Sequence, residues 1–438
     1  MATGTIFYVG TESEVAHHAR PLQQRMPIRI APPDVVTQEA RPGDLAIFFS
    51  EHFDRFRSAI HDLKRRNVAT LYAIDGILEW RNAWQNRETE PACPWTMRPV
   101  LCHKVACIGA SQARTLSAWG NADKVEVVGI PRLDHLRLEA TPTDTTPRES
   151  RSDQPLRLLV MTAKWPGFTE SQRHQIAQSL IDVKAWADTT AAVGNRPIEL
   201  IWRLTGGMDR IVGVENELRD TTGEDLITAL RRCDAVITTP STAQLESMLV
   251  GKPTAILDYT NSPLYVDAAW RITCKGQLDL TITQLFDPPA ERMHYQNTVL
   301  ADSLQHDTDA TDRMMILIEA MSEHANAMAT QPQPLLFPSA LLPPLANPMP
   351  LLCAESIFPE RAAATLNEAG MLPVELADAQ REIKLLRATL QQLQSELREA
   401  HEIFDTIRNH PIAGPVVRTR EKILQWVSKS KASGTDAT

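Results

Sequence analysis

Apolar positions in the first third of the chain come in short runs typical of buried strands, at 6–9, 45–49, 68–72, 105–108 and 125–128. Between the second and third runs the period changes. Phe53, Phe56, Ile60 and Leu63 recur at helical spacing, and Lys64-Arg65-Arg66 closes that helix where cations suit the negative end of the dipole. Strands alternating with amphipathic helices predict a parallel, doubly wound sheet over 1–138. Residues 139–155 have linker composition. Alternation then resumes over 156–330, with strands at 156–162 and 198–203 and helices at 169–187, 224–232 and 309–328. Two such domains imply a cleft between carboxyl strand ends, where ligands bind in this class of fold.

The densest signal runs from Asp234 to Tyr259. Ala235 to Thr238 read as a buried strand that stops at Pro240. Ser241 stands at a helix N-cap position with Gln244 three residues on, as in a capping box. Leu245, Met248 and Leu249 mark one helix face, Gly251 ends the helix, and 254–257 forms a second strand. A turn of this kind aims backbone N–H groups and the hydroxyls of Ser241 and Thr242 beyond the strand ends, an arrangement that suits a phosphate. Glu246, one turn further, is positioned to accept from a sugar or ribose diol. Spacing alone equally describes a capped helix in any doubly wound domain.

Residues 234–253 resemble the donor-binding segment of glycosyltransferases with the two-domain B-type (GT-B) fold, in the style of CDP-glycerol transferases, lipid-A-disaccharide synthase and UDP-N-acetylglucosamine 2-epimerase. Gly129-Ile130-Pro131-Arg132-Leu133-Asp134 resembles the G-x-P-R-x-D at the domain junction of the CDP-glycerol and epimerase group. The likeness covers the order of elements over roughly 1–330. It implies an α/β fold of two Rossmann-like domains facing across a cleft. It also implies that Ser241 and Thr242 hold a diphosphate while Glu246 holds the ribose. Two departures stand out: a second Glu partner is not evident, and the His-Pro pair of the CDP-glycerol pattern is absent near Arg203-Leu204-Thr205. Arg132 and Asp134 read as a structural ion pair at the hinge.

Asp75-Gly76-Ile77-Leu78-Glu79-Trp80-Arg81-Asn82 follows the third strand run, where this fold places active-site groups. Asp75 and Glu79 are both candidate general bases for an acceptor hydroxyl. Trp80, Arg81 and Asn82 suit the acceptor side: Trp80 to stack on a sugar face, Arg81 to grip a phosphate or carboxylate. A capped turn with Trp80 in the core is the plain alternative. Lys164 and Arg203, each after a strand of the second domain, are expected to face the donor phosphates. No Asp-x-Asp motif sits on a plausible loop, so the expected chemistry uses these cations and no metal or cofactor. Among the lone histidines His52, His103 and His174, His103 is the one to keep as a fallback base.

Composition narrows the setting. A net charge of −9 over 438 residues, with no aromatic-interleaved basic stripe, argues against nucleic acid as a partner. Six cysteines without metal spacing, together with an amino-terminal run lacking a basic leader, predict a reducing, cytoplasmic setting. Residues 331–374 are rich in proline, an extended spacer whose leucines let parts of it lie on the body. Over 375–408, Leu376, Ile383, Leu390, Leu397 and Phe404 alternate with Ala379, Leu386, Leu393, Ala400 and Ile407 in heptads, which predicts a homodimer through a parallel coiled coil. The tail, 409–438, is basic, with an apolar face at Ile423, Leu424, Trp426 and Val427, which suits peripheral contact at the inner membrane face.

The expected function is transfer of a sugar or polyol phosphate from a nucleotide-activated donor to a surface-carbohydrate or lipid-linked acceptor. A nucleotide-sugar 2-epimerase and a non-catalytic nucleotide-binding scaffold are the alternatives.

Overall fold

The computed structural model describes residues 4–85, 97–140, 154–190, 192–217, 225–344 and 358, and beyond these 390, 391, 394, 397, 398 and 415. Met1–Ala364 and Thr365–Thr438 form two compact units. In the first unit six strands, β1 (Ile6–Val9), β2 (Arg29–Ala31), β3 (Leu45–Phe48), β4 (Ala69–Ala73), β5 (Lys104–Cys107) and β6 (Val125–Val127), form one parallel sheet in the order β2-β1-β3-β4-β5-β6. A second sheet runs β12-β11-β10-β7-β9-β8, from β7 (Leu156–Met161), β8 (Ala192–Val193), β9 (Arg196–Arg203), β10 (Ala235–Thr238), β11 (Thr254–Leu257) and β12 (Trp270–Ile272). It is parallel except for β8, which joins β9 by a two-residue hairpin. Gly194 and Asn195 both take positive φ there, as a primed turn requires.

Helices cover both sheets. The first domain carries α1 (Glu12–Gln23), α2 (Pro33–Glu39), α3 (Asp54–Arg65), α4 (Ala110–Leu116) and α5 (Asp134–Ala140). The expected linker, 139–155, lies almost wholly outside the described residues; after it come α6 (Glu170–Thr189), α7 (Met208–Val212), α8 (Leu226–Arg232), α9 (Thr242–Leu249), α10 (Leu278–Phe286), α11 (Ala290–Ser303) and α12 (Ala310–Met328). Every residue of β3 and β4 is buried, as the unbroken apolar runs at 45–49 and 68–72 demand of a sheet covered on both faces. Phe56, Ile60 and Leu63 of α3 pack in the core as the spacing predicts, whereas Phe53, counted on the same face, stands at the N-cap and is exposed.

The helix at 309–328, grouped by sequence order with the second domain, packs on the first sheet. Met314, Leu317, Ile318 and Met321 of α12 lie in one core with Leu45, Ile47 and Leu71. Asp134 anchors this return: its carboxylate accepts from the backbone N–H of Ala310 at 2.9 Å and Thr311 at 2.8 Å, and from Thr311 Oγ1 at 2.7 Å. The chain passes so close to Gly129 that a Cβ there would stand 2.6 Å from Gln305 O, and φ is +103°. Glycine is therefore required at the junction on both counts.

Residues 331–344 continue along the first domain. Leu335 and Leu342 are buried. Lys104 Nζ, fully buried, donates to Ser339 O at 2.9 Å and pairs with Glu126 at 2.8 Å, while Glu126 accepts from Leu341 N and Leu342 N. This stretch is a docked strap, with Leu335, Leu341 and Leu342 on the body and Leu336 exposed. Phe358 packs edge-on to Tyr295 and lies under Arg292. The coiled-coil heptads and basic tail lie almost wholly outside the described residues; 390, 391, 394, 397 and 398 are helical, and Leu390 and Leu397 are exposed. Among the described residues no helix is long and apolar enough to cross a membrane.

Candidate functional site

The carboxyl ends of β1, β4 and β6 meet those of β7, β10 and β11 across a cleft. Asp75 follows β4, and His18 Nε2 on α1 lies 3.1 Å from its Oδ2. Burial holds His18 down at about 4, against the pull of Asp75 and with the help of His17, Arg132 and Lys164, so the neutral ring donates to the carboxylate. His17 lies ring to ring with His18 at 3.5 Å and is likewise lowered, chiefly by burial. The charges of Arg132 and Lys164 reach both histidines, which brings a second-domain cation to a first-domain cluster. A groove of about 660 Å³ opens beside them, lined by His17, Arg20, Pro131, Arg132 and His135.

Arg132 does not pair with Asp134 as expected, because Asp134 is committed to capping α12. Its Nη1 instead donates to Glu246 Oε1 at 2.6 Å, and its Nη2 reaches Asp75 O at 3.5 Å. The carboxylate expected to hold a ribose is thus engaged across the cleft. Ser241 has the extended conformation of an N-cap, but its side chain makes no capping bond. Its Oγ lies 3.3 Å from Thr238 Oγ1, and Gln244 donates to Asp267 O at 2.6 Å rather than closing a capping box. Thr242 Oγ1 accepts from Ile77 N at 3.3 Å, and a Cβ on Gly76 would come within 2.5 Å of it. Glycine at 76 therefore lets the first domain's loop rest on the start of α9.

Lys164 is exposed past the end of β7, followed by Trp165, also exposed. Arg203 closes the neighbouring β9, paired with Met161, and its charge acts on Asp225 at the start of α8. His103 stands at the opposite end of its strand from the cleft, just before β5. Its Nδ1 accepts from Thr70 N at 3.1 Å, its ring meets Phe337, and burial lowers it to about 3. It is a structural residue and no fallback base.

The remainder of the 75–82 segment forms a seam with the second domain. Glu79 bridges to Leu264 in antiparallel fashion, its carboxyl raised by burial and held by Arg81, itself 1% exposed. Trp80 stacks with Trp84 at 5.3 Å and faces Tyr265 at 6.2 Å. Trp84 Nε1 donates to Tyr265 Oη at 2.8 Å, and Arg98 lies 3.6 Å over the Trp84 ring. Asn82 is exposed. Sequence reading missed His17, His18, Trp84 and Tyr265. The one available signal for the histidines was their place just after the first strand.

No family model matches the chain, and no curated protein matches it by sequence. Among solved structures it is similar to the S. aureus MnaA–UDP co-structure, at 13% identity over 72% of this chain and 96% of that one, with a TM-score of 0.46. It is also similar to a UDP-N-acetylglucosamine 2-epimerase, at 12% identity over 76% and 99%, TM-score 0.46. A third likeness is to the wall teichoic acid polymerase TagF, at 12% identity over 74% and 90%, TM-score 0.44. With these TM-scores below 0.5, the assignment of two doubly wound, Rossmann-like domains in a GT-B-like pair rests on the strand order itself.

Proposed function

We propose that the protein is a nucleotide-sugar-dependent transferase that moves a sugar or polyol phosphate from an activated donor to a surface-carbohydrate or lipid-linked acceptor. The observation that carries this reading is the meeting of Arg132, Lys164 and the start of α9 with the Asp75–His18 pair between two sets of carboxyl strand ends. Lys164, Arg132 and Arg203 neutralise the departing nucleotide, a diphosphate in sugar transfer and a monophosphate in polyol-phosphate transfer, assisted by the Ser241 and Thr242 hydroxyls, so the reaction needs no metal. Arg132 exchanges Glu246 for a phosphate oxygen, and Glu246 then accepts from the ribose diol. Asp75 takes the proton of the acceptor hydroxyl. Glu79, held by Arg81, shapes the acceptor side with Trp80 and Asn82.

Calorimetric titration with UDP, CDP and their sugar or glycerol derivatives tests the donor site. Binding of none of them overturns the reading. Turnover of a bound donor without any acceptor assigns an epimerase instead.

A further inference from the structure

His17 and His18 are consecutive on α1, where neighbours point about 100° apart around the axis and ordinarily do not face each other. Here their rings converge, centroid to centroid at 3.5 Å, and both come up against Asp75. His18 Nε2 lies 3.1 Å from Asp75 Oδ2, and one ring nitrogen from each histidine and a carboxylate oxygen all fall within 4.8 Å of one another. Among the described residues no other three histidine, cysteine or carboxylate side chains meet in this way.

Two imidazoles and one carboxylate are a ligand set that borderline metal ions favour. Zinc takes two histidines and a carboxylate in sites that keep one position open, whereas magnesium and calcium require oxygen. Ligands about 2.0–2.1 Å from a tetrahedral zinc stand about 3.4 Å apart, so the His18–Asp75 spacing already fits. His17 is exposed, and a rotation of its ring closes the rest. Burial keeps both rings neutral, so each retains a lone pair for a metal. In place of its hydrogen bond to Asp75, His18 keeps its one proton on Nδ1 and offers Nε2 to the ion.

The surroundings set the affinity. Arg132 and Lys164 oppose a further cation, since their charges reach both rings. Glu246 neutralises the first at 2.6 Å, and the second is exposed and able to swing away. Binding is therefore moderate: the triad fills when zinc is plentiful and empties when it is scarce.

We propose that His17, His18 and Asp75 form a reversible zinc site. Occupied, it ties up the Asp75 carboxylate and so blocks proton transfer from the acceptor. Binding stands on the geometry of the triad, while its effect on turnover rests on the transferase reading.

Calorimetric titration of the full chain with zinc chloride, in metal-free buffer without phosphate, tests the binding. A one-equivalent site is expected in wild type, undisturbed by magnesium at equal concentration. His17→Ala and Asp75→Asn should each weaken it at least about tenfold, since losing even an outer-shell partner of a ligand costs that much. Thermal melts without zinc establish that both variants are folded. No zinc binding by wild type, equal binding by either folded variant, or displacement by magnesium overturns the proposal. In donor-consumption assays zinc should suppress wild type and spare His17→Ala, and undiminished turnover in zinc-loaded wild type overturns the block. Nucleotide titration of the same samples keeps the two readings apart, since zinc binding without nucleotide binding overturns the donor site alone.

Discussion

Arg132, on the loop leaving the first sheet, and Glu246, on α9 beneath the second, are joined at 2.6 Å across the cleft. The pair links the two domains at the spot where a donor's ribose and phosphate would need both partners apart. Glu246→Gln should weaken nucleotide binding by about 1–3 kcal/mol, the loss of a charged hydrogen bond. Arg132→Ala should weaken it similarly through the phosphate. Calorimetry on both single variants and the double variant gives the coupling. Unchanged affinity in Glu246→Gln removes that residue from the site.

Asp75 and Glu79 are separated by their surroundings. Asp75 is partly exposed beside His18, whereas Glu79 is buried against Arg81. Asp75→Asn should abolish most turnover at nearly unchanged donor affinity, with Glu79→Gln the milder change. Full turnover in Asp75→Asn, measured by donor consumption, would mean that another group takes the proton.

His18 gives the fold a signature in acid. Its folded value of about 4 lies below the ordinary 6.5, so the unfolded chain binds more protons between those values. The stability this confers is present above pH 6.5 and is lost as pH falls from about 6.5 to about 4. His18→Gln should show a flatter decline than wild type across that window in urea unfolding at stepped pH. Parallel curves would contradict the buried, neutral assignment.

The strap at 331–344 depends on Lys104 and Glu126. Glu126→Ala strands a fully buried ammonium and frees two backbone N–H groups, so it should cost about 3–5 kcal/mol. Replacing both residues together, as Lys104→Met with Glu126→Leu, should recover part of that loss. Urea midpoints decide, and limited proteolysis should show new cleavage within 331–344 in the single variant.

The heptads over 375–408 lead us to propose a homodimer through a parallel coiled coil. Light scattering should give twice the chain mass for wild type, and Leu386→Asp with Leu393→Asp should give a monomer. A monomeric wild type, or a double variant that stays dimeric, rules out the coil as the interface.

The apolar runs and the switch to helical spacing at Phe53–Leu63 determined most strands and the doubly wound pattern, because periodicity is a local property and burial on both faces erases alternation. Strands β2, β8 and β12, of two or three residues, stand outside any apolar run, whereas β6, equally short, lies within the run at 125–128. What a side chain touches across the fold had no local signature. Asp134 was legible as a partner for the nearby Arg132, yet it caps α12 because that helix returns to the first sheet and presents its free N–H groups. Ser241 and Gln244 have the spacing of a capping box, yet Asp267 and the domain seam draw Gln244 elsewhere. His18 and Asp75, far apart in the chain, meet only because β1 and β4 end on the same side of one parallel sheet. The sequence by itself determined which residues lie at the strand ends. Only the tertiary structure decided which of them face one another, because those pairings depend on how helices and loops pack across two sheets.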